Sequence, residues 1–197
     1  VALVGGNLSR GPLNLGLQLT GLVPAGTALR RSGARPGDEI WVSGTLGDAA
    51  LGRLPGASAA LRTRFEYPTA RVALGVALRG IASSCIDLSD GLLADLPRLT
   101  QASGCGAILE VDQLPLSSAL QASAAALSWQ RALLGGEDYE LCFTAPAENA
   151  ARLRVLAGQL GVPLRRCGRV RAAAGLELHS AGGVIQFSQS PFDHFKS

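Results

Sequence analysis

Apolar residues recur along the chain at the two spacings that are typical of strands and of helices. Strands are predicted over residues 39–43, 107–111, 139–143, 167–170, 176–179 and 184–187. Helices are predicted to open at Asp48 and to cover residues 72–82, 92–104, 117–127 and 147–160, with a loop at 55–60. Pro97 is expected to shorten or kink the helix that contains it. Because strands and helices alternate, we predict an α/β (α+β) fold with helices packed on a mixed sheet.

The first 24 residues have a different pattern. Residues 1–4 are apolar and predict a short buried strand, and the leucines of residues 13–19 alternate with polar residues or glycine, which predicts a half-buried edge strand. Proline and glycine follow at 24–26. We therefore predict that residues 1–24 are the end of an incomplete N-terminal domain and that residues 25–197 form a C-terminal α/β domain. The absence of methionine also predicts that an N-terminal part is missing.

Composition narrows the class of protein. With 197 residues, 47% hydrophobic and 17% charged, the chain should fold around a sizeable core. The net charge of +3 is small, basic residues are scattered and only 5% of residues are aromatic, which argues against nucleic acid as a partner. No apolar run reaches the length of a membrane span. Lys196 is the only lysine, so a P-loop is excluded and phosphate must be held by arginine, backbone N–H groups or metal ions.

The cysteines and histidines give no motif of their own. Cys85, Cys105, Cys142 and Cys167 have neither the paired spacing of a zinc site nor a CxxC redox motif. We predict that they are reduced, buried side chains in a cytoplasmic protein. No serine lies in a GxSxG turn, and the two histidines lack a partner at metal-ligand spacing.

The stretch Ile86-Asp87-Leu88-Ser89-Asp90-Gly91 carries the strongest candidate chemistry. It joins an apolar segment to a helix, and three of the four residues from 87 to 90 bear side-chain oxygens. Ser89 or Asp90 could cap that helix. Three such side chains beside a glycine exceed what one cap requires, and they also suit a hard cation or a phosphate. Spacing alone leaves both interpretations open.

Two glycine-rich turns are weaker candidates. Gly135-Gly136-Glu137-Asp138 precedes an apolar strand, and its carboxylates are predicted to point out of the end of the sheet, where α/β proteins usually bind ligands. A solvated turn is the alternative. Residues 44–48 could cradle an anion, although a tight turn is favoured because no GxGxxG pattern is present.

Together these stretches resemble the thiamine-monophosphate kinases. The matching segments are residues 5–12, 31–38, 43–48, 86–92, 135–143 and 192–195. The first loop and the Asp-Leu-Ser-Asp-Gly stretch are also similar to the wider family of ATP-binding synthetases, which includes aminoimidazole-ribonucleotide synthetase and selenophosphate synthetase. The resemblance implies an N-terminal ATP-binding domain that forms a homodimer and a C-terminal α/β domain that closes over ATP. It also implies Mg²⁺-dependent phosphorylation of thiamine phosphate to thiamine diphosphate.

The same resemblance implies roles for particular residues. ATP would be contacted by Gly6, Asn7, Arg31 and Ser89, and Mg²⁺ by Asp87, Asp90 and Asn7. Glu137 and Phe192 would contact thiamine phosphate, and no residue is implied as a catalytic acid, base or nucleophile. Two positions depart from the family: Asn7 stands where a metal-binding aspartate is usual, and Pro191 replaces a usual glycine.

Two alternatives remain at the level of sequence. The first is another ATP-binding synthetase of the same superfamily, acting in a purine or selenophosphate pathway. The second is a non-catalytic domain that binds nucleotide or forms dimers. For the kinase, the N-terminal part of the site is expected to be missing, so we expect this chain to be inactive alone.

Overall fold

The computed structural model describes residues 2–123 and 128–188. Within them the strands are β1 (Glu39–Ser43), β2 (Ser84–Asp87), β3 (Gly106–Glu110), β4 (Leu141–Ala145), β5 (Leu164–Arg171), β6 (Gly175–Ser180) and β7 (Gly183–Ile185). The α-helices are α1 (Asp48–Gly52), α2 (Ala59–Glu66), α3 (Val72–Ala77), α4 (Leu92–Ala102), α5 (Ser118–Ser123), α6 (Ser128–Leu134) and α7 (Ala150–Leu160). None of these helices is long and apolar enough to cross a membrane.

The strands of the described residues form one mixed sheet in the order β2-β4-β1-β5-β3-β6-β7. Strands β3 and β6 run parallel, and every other neighbouring pair is antiparallel. In the pairing of β2 with β4, Asp87 lies opposite Leu141. The end of β2 and the start of β4 therefore meet at one edge of the sheet. The predicted α/β fold with a mixed sheet is confirmed.

Both faces of the sheet carry helices. Side chains of β1 alternate between two cores: Ile40 and Val42 belong to a larger one, and Trp41 belongs to a smaller one. The larger core includes residues of α1, α4, α5 and α6, and the smaller includes residues of α3 and α7. This alternation is the period of two that the sequence shows at residues 39–43.

The strands predicted before residue 24 do not form in the described part of that segment. Residues 2–24 contain neither helix nor strand and are exposed, with Leu13 at 93% and Leu19 at 73%. An alternating strand needs a neighbour that shares its backbone hydrogen bonds and covers its apolar face. No described strand lies beside these residues, so the strand predictions for 1–4 and 13–19 are wrong in this structure. The domain boundary at 24 stays a prediction.

Two helix predictions also need correction. Helix α2 begins at Ala59, inside the predicted loop, and the side chain of Ser58 caps it by accepting the N–H of Leu61 at 3.4 Å. None of its residues is buried, so the helix lacks the apolar period by which sequence analysis finds helices. Helix α3 ends at Ala77, well before the predicted residue 82.

Pro97 does not end α4, which continues to Ala102. Leu92, Leu96 and Leu99 on its inner face are fully buried, and each contributes roughly 1.5–3 kcal/mol. Their sum exceeds the ~3 kcal/mol that an interior proline costs. The helix predicted at 117–127 is described as α5 up to Ser123, and residues 124–127 lie outside the described ranges. The three strands predicted after residue 160 are confirmed as β5, β6 and β7 with shifted bounds.

The four cysteines form no disulfide. Cys105, Cys142 and Cys167 are buried and Cys85 is half-buried. Burial raises the pKa of the Cys85 and Cys167 thiols to about 12. These two thiols are therefore protonated at neutral pH and poorly reactive. The predicted burial is confirmed for Cys105, Cys142 and Cys167, whereas Cys85 is only half-buried.

Candidate functional site

Two candidate stretches of the sequence lie side by side at the edge where β2 meets β4. We call residues 87–91 the acidic turn and residues 135–140 the glycine-led segment. The N–H of Leu88 donates to the carbonyl of Glu140, and the N–H of Tyr139 donates to the carbonyl of Leu88, both at 2.9 Å. The backbone hydrogen bonds between β2 and β4 thus continue into the acidic turn and the glycine-led segment. The side chains of the two segments therefore share one surface.

Close packing of the two turns depends on two glycines. The N–H of Glu137 donates to the carbonyl of Ser89 at 2.9 Å, and a Cβ on Gly136 would collide with that same carbonyl oxygen. Gly91 has a φ of +99°, and a Cβ there would lie 2.9 Å from the carbonyl oxygen of Leu133 in α6. A side chain at either position would push neighbouring backbone away.

The variant Gly136→Ala is expected to lower the free energy of unfolding by about 1–3 kcal/mol, because the added methyl group meets backbone that cannot swing aside. Gly158→Ala is the matched control, since Gly158 lies in α7 and a Cβ there meets open space. That substitution should raise stability by up to about 1 kcal/mol through helix propensity. Urea denaturation of both variants makes the comparison, and equal effects would contradict the close approach of the two turns.

The acidic turn presents two carboxylates in different states. Asp87 is exposed and accepts no hydrogen bond from the described residues. Asp90 is 21% exposed and its Oδ2 accepts a hydrogen bond from Arg98 at 2.7 Å. Neither Ser89 nor Asp90 caps α4 with its side chain, because Gly91 occupies the N-cap position. The capping interpretation is therefore wrong for these side chains.

The oxygen donors of the acidic turn suit a hard divalent cation. The described residues contain no group of three or more Asp, Glu, His or Cys arranged to hold a metal by themselves. Mg²⁺ commonly takes only one or two protein carboxylates, with waters and substrate phosphates completing its octahedron. Asp87 and Asp90 are therefore the described residues that could supply such carboxylate oxygens.

Tyr139 and Glu137 form the outer surface of the glycine-led segment. The Tyr139 hydroxyl donates to Oε2 of Glu137 at 2.9 Å. This hydrogen bond, partial burial and the negative charges of Glu137, Asp87 and Asp90 raise the pKa of Tyr139. Glu137 and Tyr139 have φ values of +70° and +50°, which residues other than glycine rarely adopt. Three carboxylates thus face one tyrosine, in a strained segment at the sheet edge.

Asp138 and Glu140 alternate with these residues and point into the protein, with exposures of 2% and 0%. Oxygens of Asp138 accept the N–H groups of Gly47 at 2.6 Å and Ala49 at 3.2 Å, at the start of α1. The prediction that Asp138 points out of the sheet is therefore wrong. Because Asp138 takes backbone N–H groups that an anion would need, residues 44–48 form a tight turn closed by a carboxylate, as the favoured interpretation predicted.

Burial raises the pKa of Asp138 to about 7, although the two N–H donors and the charge of Arg64 oppose this shift. A carboxyl with a raised pKa binds more protons folded than unfolded, so its contribution to stability falls as pH rises. The fall should span about pH 4, where an ordinary aspartate ionises, to about pH 7. We expect the stability difference between the wild type and Asp138→Asn to shrink across this window and to be flat above it. Urea midpoints at several pH values test this; a gap that widens with pH would contradict it.

The buried carboxylate of Glu140 forms hydrogen bonds with side chains from three distant parts of the chain. Its Oε2 accepts Ser43 Oγ at 2.5 Å and Arg71 Nε at 2.7 Å, and its Oε1 accepts Nη2 of Arg71 at 2.6 Å and of Arg64 at 3.0 Å. The hydrogen bonds to Glu140 raise the pKa of the Arg71 guanidinium, against the effect of burial. A Cβ on Gly44 would collide with the Glu140 carboxylate. The network fixes the glycine-led segment to the end of β1 and to the helices on either side of residues 67–71.

The other predicted site residues are only partly brought to this edge. The backbone around Arg31 runs beside β2, because the N–H of Cys85 donates to the carbonyl of Arg30 at 2.9 Å and Ser103 Oγ donates to that of Arg31 at 3.1 Å. Gly6 and Asn7 lie in the exposed segment before residue 24 and form no hydrogen bond with the described residues of the acidic turn. The prediction for Phe192 lies outside the described residues.

The side chains that support the site from within were not predicted from the sequence. Asp95 is 1% exposed and lies three residues after Leu92, on the buried face of α4. A charged residue is rarely buried without a partner. The position of Asp95 among the apolar residues of α4 was therefore the signal in the sequence that it has a structural partner. The partners of Glu140 gave no such signal, because Arg64 and Arg71 are distant from it in sequence.

Comparison with known proteins gives a consistent set of matches. Residues 35–180 match the family model for AIR synthase related protein, C-terminal domain. Thiamine-monophosphate kinase of Salmonella typhimurium is 47% identical over 212 residues, covering 98% of this chain and 63% of that protein. The Caulobacter vibrioides enzyme is 34% identical, covering 98% of this chain and 59% of that protein. The chain thus spans less than two thirds of these curated relatives.

Solved structures agree. The crystal structure of thiamine-monophosphate kinase from Stenotrophomonas maltophilia has a TM-score of 0.75 and 43% identity, covering 83% of this chain and 56% of that one. The structure of AaThiL complexed with AMPPCP and TMP has a TM-score of 0.66 and 33% identity, covering 76% of this chain and 50% of that one. HypE of Escherichia coli, at 21% identity and a TM-score of 0.67 over 87% of this chain and 56% of that one, shows a shared fold alone.

Proposed function

Since the chain belongs to the family of AIR synthase related proteins, of which it has the C-terminal domain, we propose that the complete protein is a thiamine-phosphate kinase. It transfers the γ-phosphoryl group of ATP to thiamine phosphate and releases ADP and thiamine diphosphate. The carrying observation is the similarity to thiamine-monophosphate kinases along 98% of this chain. The AaThiL complex with AMPPCP and TMP supports the same pair of ligands.

The acidic turn is the proposed phosphate-transfer edge. Asp87 and Asp90 would hold Mg²⁺, which supplies charge neutralisation on the phosphate oxygens. Ser89 would contact ATP beside them. Phosphoryl transfer depends on positioning and charge more than on covalent chemistry, and the described edge offers carboxylates without a P-loop lysine. The proposed step joins an oxygen of thiamine phosphate to the γ-phosphorus as the bond to the bridging oxygen of ADP breaks.

The remaining nucleotide contacts belong to the N-terminal side of the chain. Gly6, Asn7 and Arg31 are proposed to contact ATP, with Asn7 as a neutral metal ligand. We also propose that an N-terminal domain completes the ATP site and that the protein forms a homodimer through that domain.

We further propose a cytoplasmic location. The four cysteines, which form no disulfide, support it.

Glu137 is proposed to contact the acceptor, together with Phe192. The Glu137 side chain is exposed beside Asp87 and Asp90, and a carboxylate suits the cationic thiazolium ring of thiamine phosphate. Glu137→Gln removes the charge but keeps the shape of the side chain and an oxygen that can accept the hydrogen bond from Tyr139. It should weaken thiamine phosphate binding by about 3- to 10-fold and leave ATP affinity unchanged. Isothermal titration with each ligand tests this. Equal weakening of both ligands would mean that the substitution disturbs the fold instead of an acceptor contact.

The activity itself is tested by incubating the complete protein with ATP, Mg²⁺ and thiamine phosphate and measuring thiamine diphosphate by chromatography. This chain alone is the negative control, and we expect no product from it. Aminoimidazole-ribonucleotide and selenide pathways are not favoured, because the similar curated proteins, at 45–47% identity, are thiamine-monophosphate kinases. Binding of ATP without any product from thiamine phosphate would refute the kinase proposal and favour a nucleotide-binding module.

A further inference from the structure

The acidic turn is braced from inside helix α4. Oδ2 of Asp95 accepts the backbone N–H of Ser89 at 3.0 Å and that of Asp90 at 2.9 Å. Its Oδ1 accepts Nη1 of Arg98 at 2.6 Å, and the same nitrogen donates to Oδ2 of Asp90 at 2.7 Å. Asp95 is 1% exposed. One buried carboxylate therefore holds two consecutive backbone groups of the turn and shares an arginine with its outer carboxylate.

These hydrogen bonds do more than cap the helix. The N–H groups of Ser89 and Asp90 precede the first helical residue, Leu92. The first turn of the helix is already closed, because the N–H groups of Ala94 and Asp95 donate to the carbonyl of Gly91 at 3.0 Å. Asp95 thus fixes backbone outside the helix, namely Ser89 and Asp90, two of the four residues between the proposed metal ligand Asp87 and the start of α4.

The two kinds of contact that Asp95 makes, with backbone N–H groups and with Arg98, differ in strength. Its bonds to backbone N–H groups are buried, and charged acceptors form the stronger hydrogen bonds of proteins. Arg98 is 48% exposed, and an ion pair with an exposed arginine contributes little in water. Loss of Arg98 should therefore leave the shape of the turn intact, whereas loss of the Asp95 acceptors should release it.

Building on the proposed function, we propose that Asp95 is a positioning residue: it holds the Ser89–Asp90 backbone in one conformation before any ligand arrives, so that Asp87 and Asp90 offer oxygens to one divalent cation. Asp95 touches neither cation nor substrate. Arg98 balances the charge of Asp95 and steadies the Asp90 side chain. Residues that orient metal ligands in this way typically change metal affinity by about 10- to 100-fold when replaced.

The test uses Mn²⁺ alone, titrated into the complete protein and followed by the electron paramagnetic resonance of the free ion. Asp95→Asn should weaken Mn²⁺ binding by about 10-fold or more, and Arg98→Gln should change it by only about twofold. Amide hydrogen exchange gives the independent readout. The Ser89 and Asp90 amides should be protected in the unliganded wild type and in Arg98→Gln, and exposed in Asp95→Asn.

The outcomes separate this inference from the proposed function. If Asp90→Asn weakens Mn²⁺ binding and Asp95→Asn does not, Asp95 has only a structural role and the inference is wrong. Equal losses in Asp95→Asn and Arg98→Gln would also overturn it, because the ion pair would then be what matters. If Asp87→Asn and Asp90→Asn leave Mn²⁺ affinity unchanged, the proposed metal site fails, and the inference fails with it. Should Asp95→Asn not fold, unprotected Ser89 and Asp90 amides in the unliganded wild type overturn the inference, and protected ones support it.

Discussion

Asparagine in place of Asp87 or Asp90 is expected to lower the turnover of thiamine phosphate by about 100-fold or more in the complete protein. Residues that merely orient a metal's ligands are worth about 10- to 100-fold, so direct ligands should be worth at least as much. Stability should hardly change. Asp87 is exposed and unpaired among the described residues, and the ion pair of Asp90 with the half-exposed Arg98 is worth less than about 1 kcal/mol.

The measurement combines steady-state kinetics with thermal unfolding of the same samples. Glu148→Gln is the matched control, because Glu148 is also an exposed carboxylate but lies beside α7, outside the acidic turn. It should retain full turnover. A variant of Asp87 that melts much earlier yet keeps its turnover would show that the acidic turn serves the fold and not the chemistry.

Glutamine in place of Glu140 should instead lower the free energy of unfolding by about 3 kcal/mol. Breaking a buried ion pair from one side costs about 3–5 kcal/mol. The lower end applies here because Arg64 and Arg71 remain 25% and 16% exposed and can regain some water. For a chain of this size the loss corresponds to a fall of about 6–12 °C in the midpoint of thermal unfolding.

Glu177→Gln removes a surface ion pair with Arg171 and is the control. Its midpoint should stay close to that of the wild type, since the Glu177 side chain is 38% exposed. Urea denaturation of both variants gives the free energies directly. If the two variants shift the midpoint alike, the Glu140 network is not the anchor that its hydrogen bonds indicate.

Local pattern located some of the elements around the site. The bounds of β1 agree with the prediction for 39–43, and helix α4 begins at Leu92, as predicted. Both elements show their period over neighbouring residues and have one buried face. Strand β2, which ends at Asp87, was not among the predicted strands. Helix α2 was missed because it buries none of its residues.

Long-range partners explain what local pattern could not supply. The directions of Asp138 and Glu140 are set by Gly47, by Ala49 and by Arg71, which lie far away in the chain. Residues 13–19 are exposed for a related reason. Their alternating pattern indicates which face a strand could bury, but it does not indicate whether a neighbouring strand is present to cover that face.

The alternation of the glycine-led segment has a consequence for how substrate preference could evolve or be engineered. Glu137 and Tyr139 face outward, while Asp138 and Glu140 are fixed by the interior. A library randomised at 137 and 139 should therefore yield many folded proteins with altered acceptor preference, and one randomised at 138 and 140 should yield mostly unfolded ones. Deleting a single residue here would exchange the two sets, so this short segment should tolerate replacement far better than a change in length.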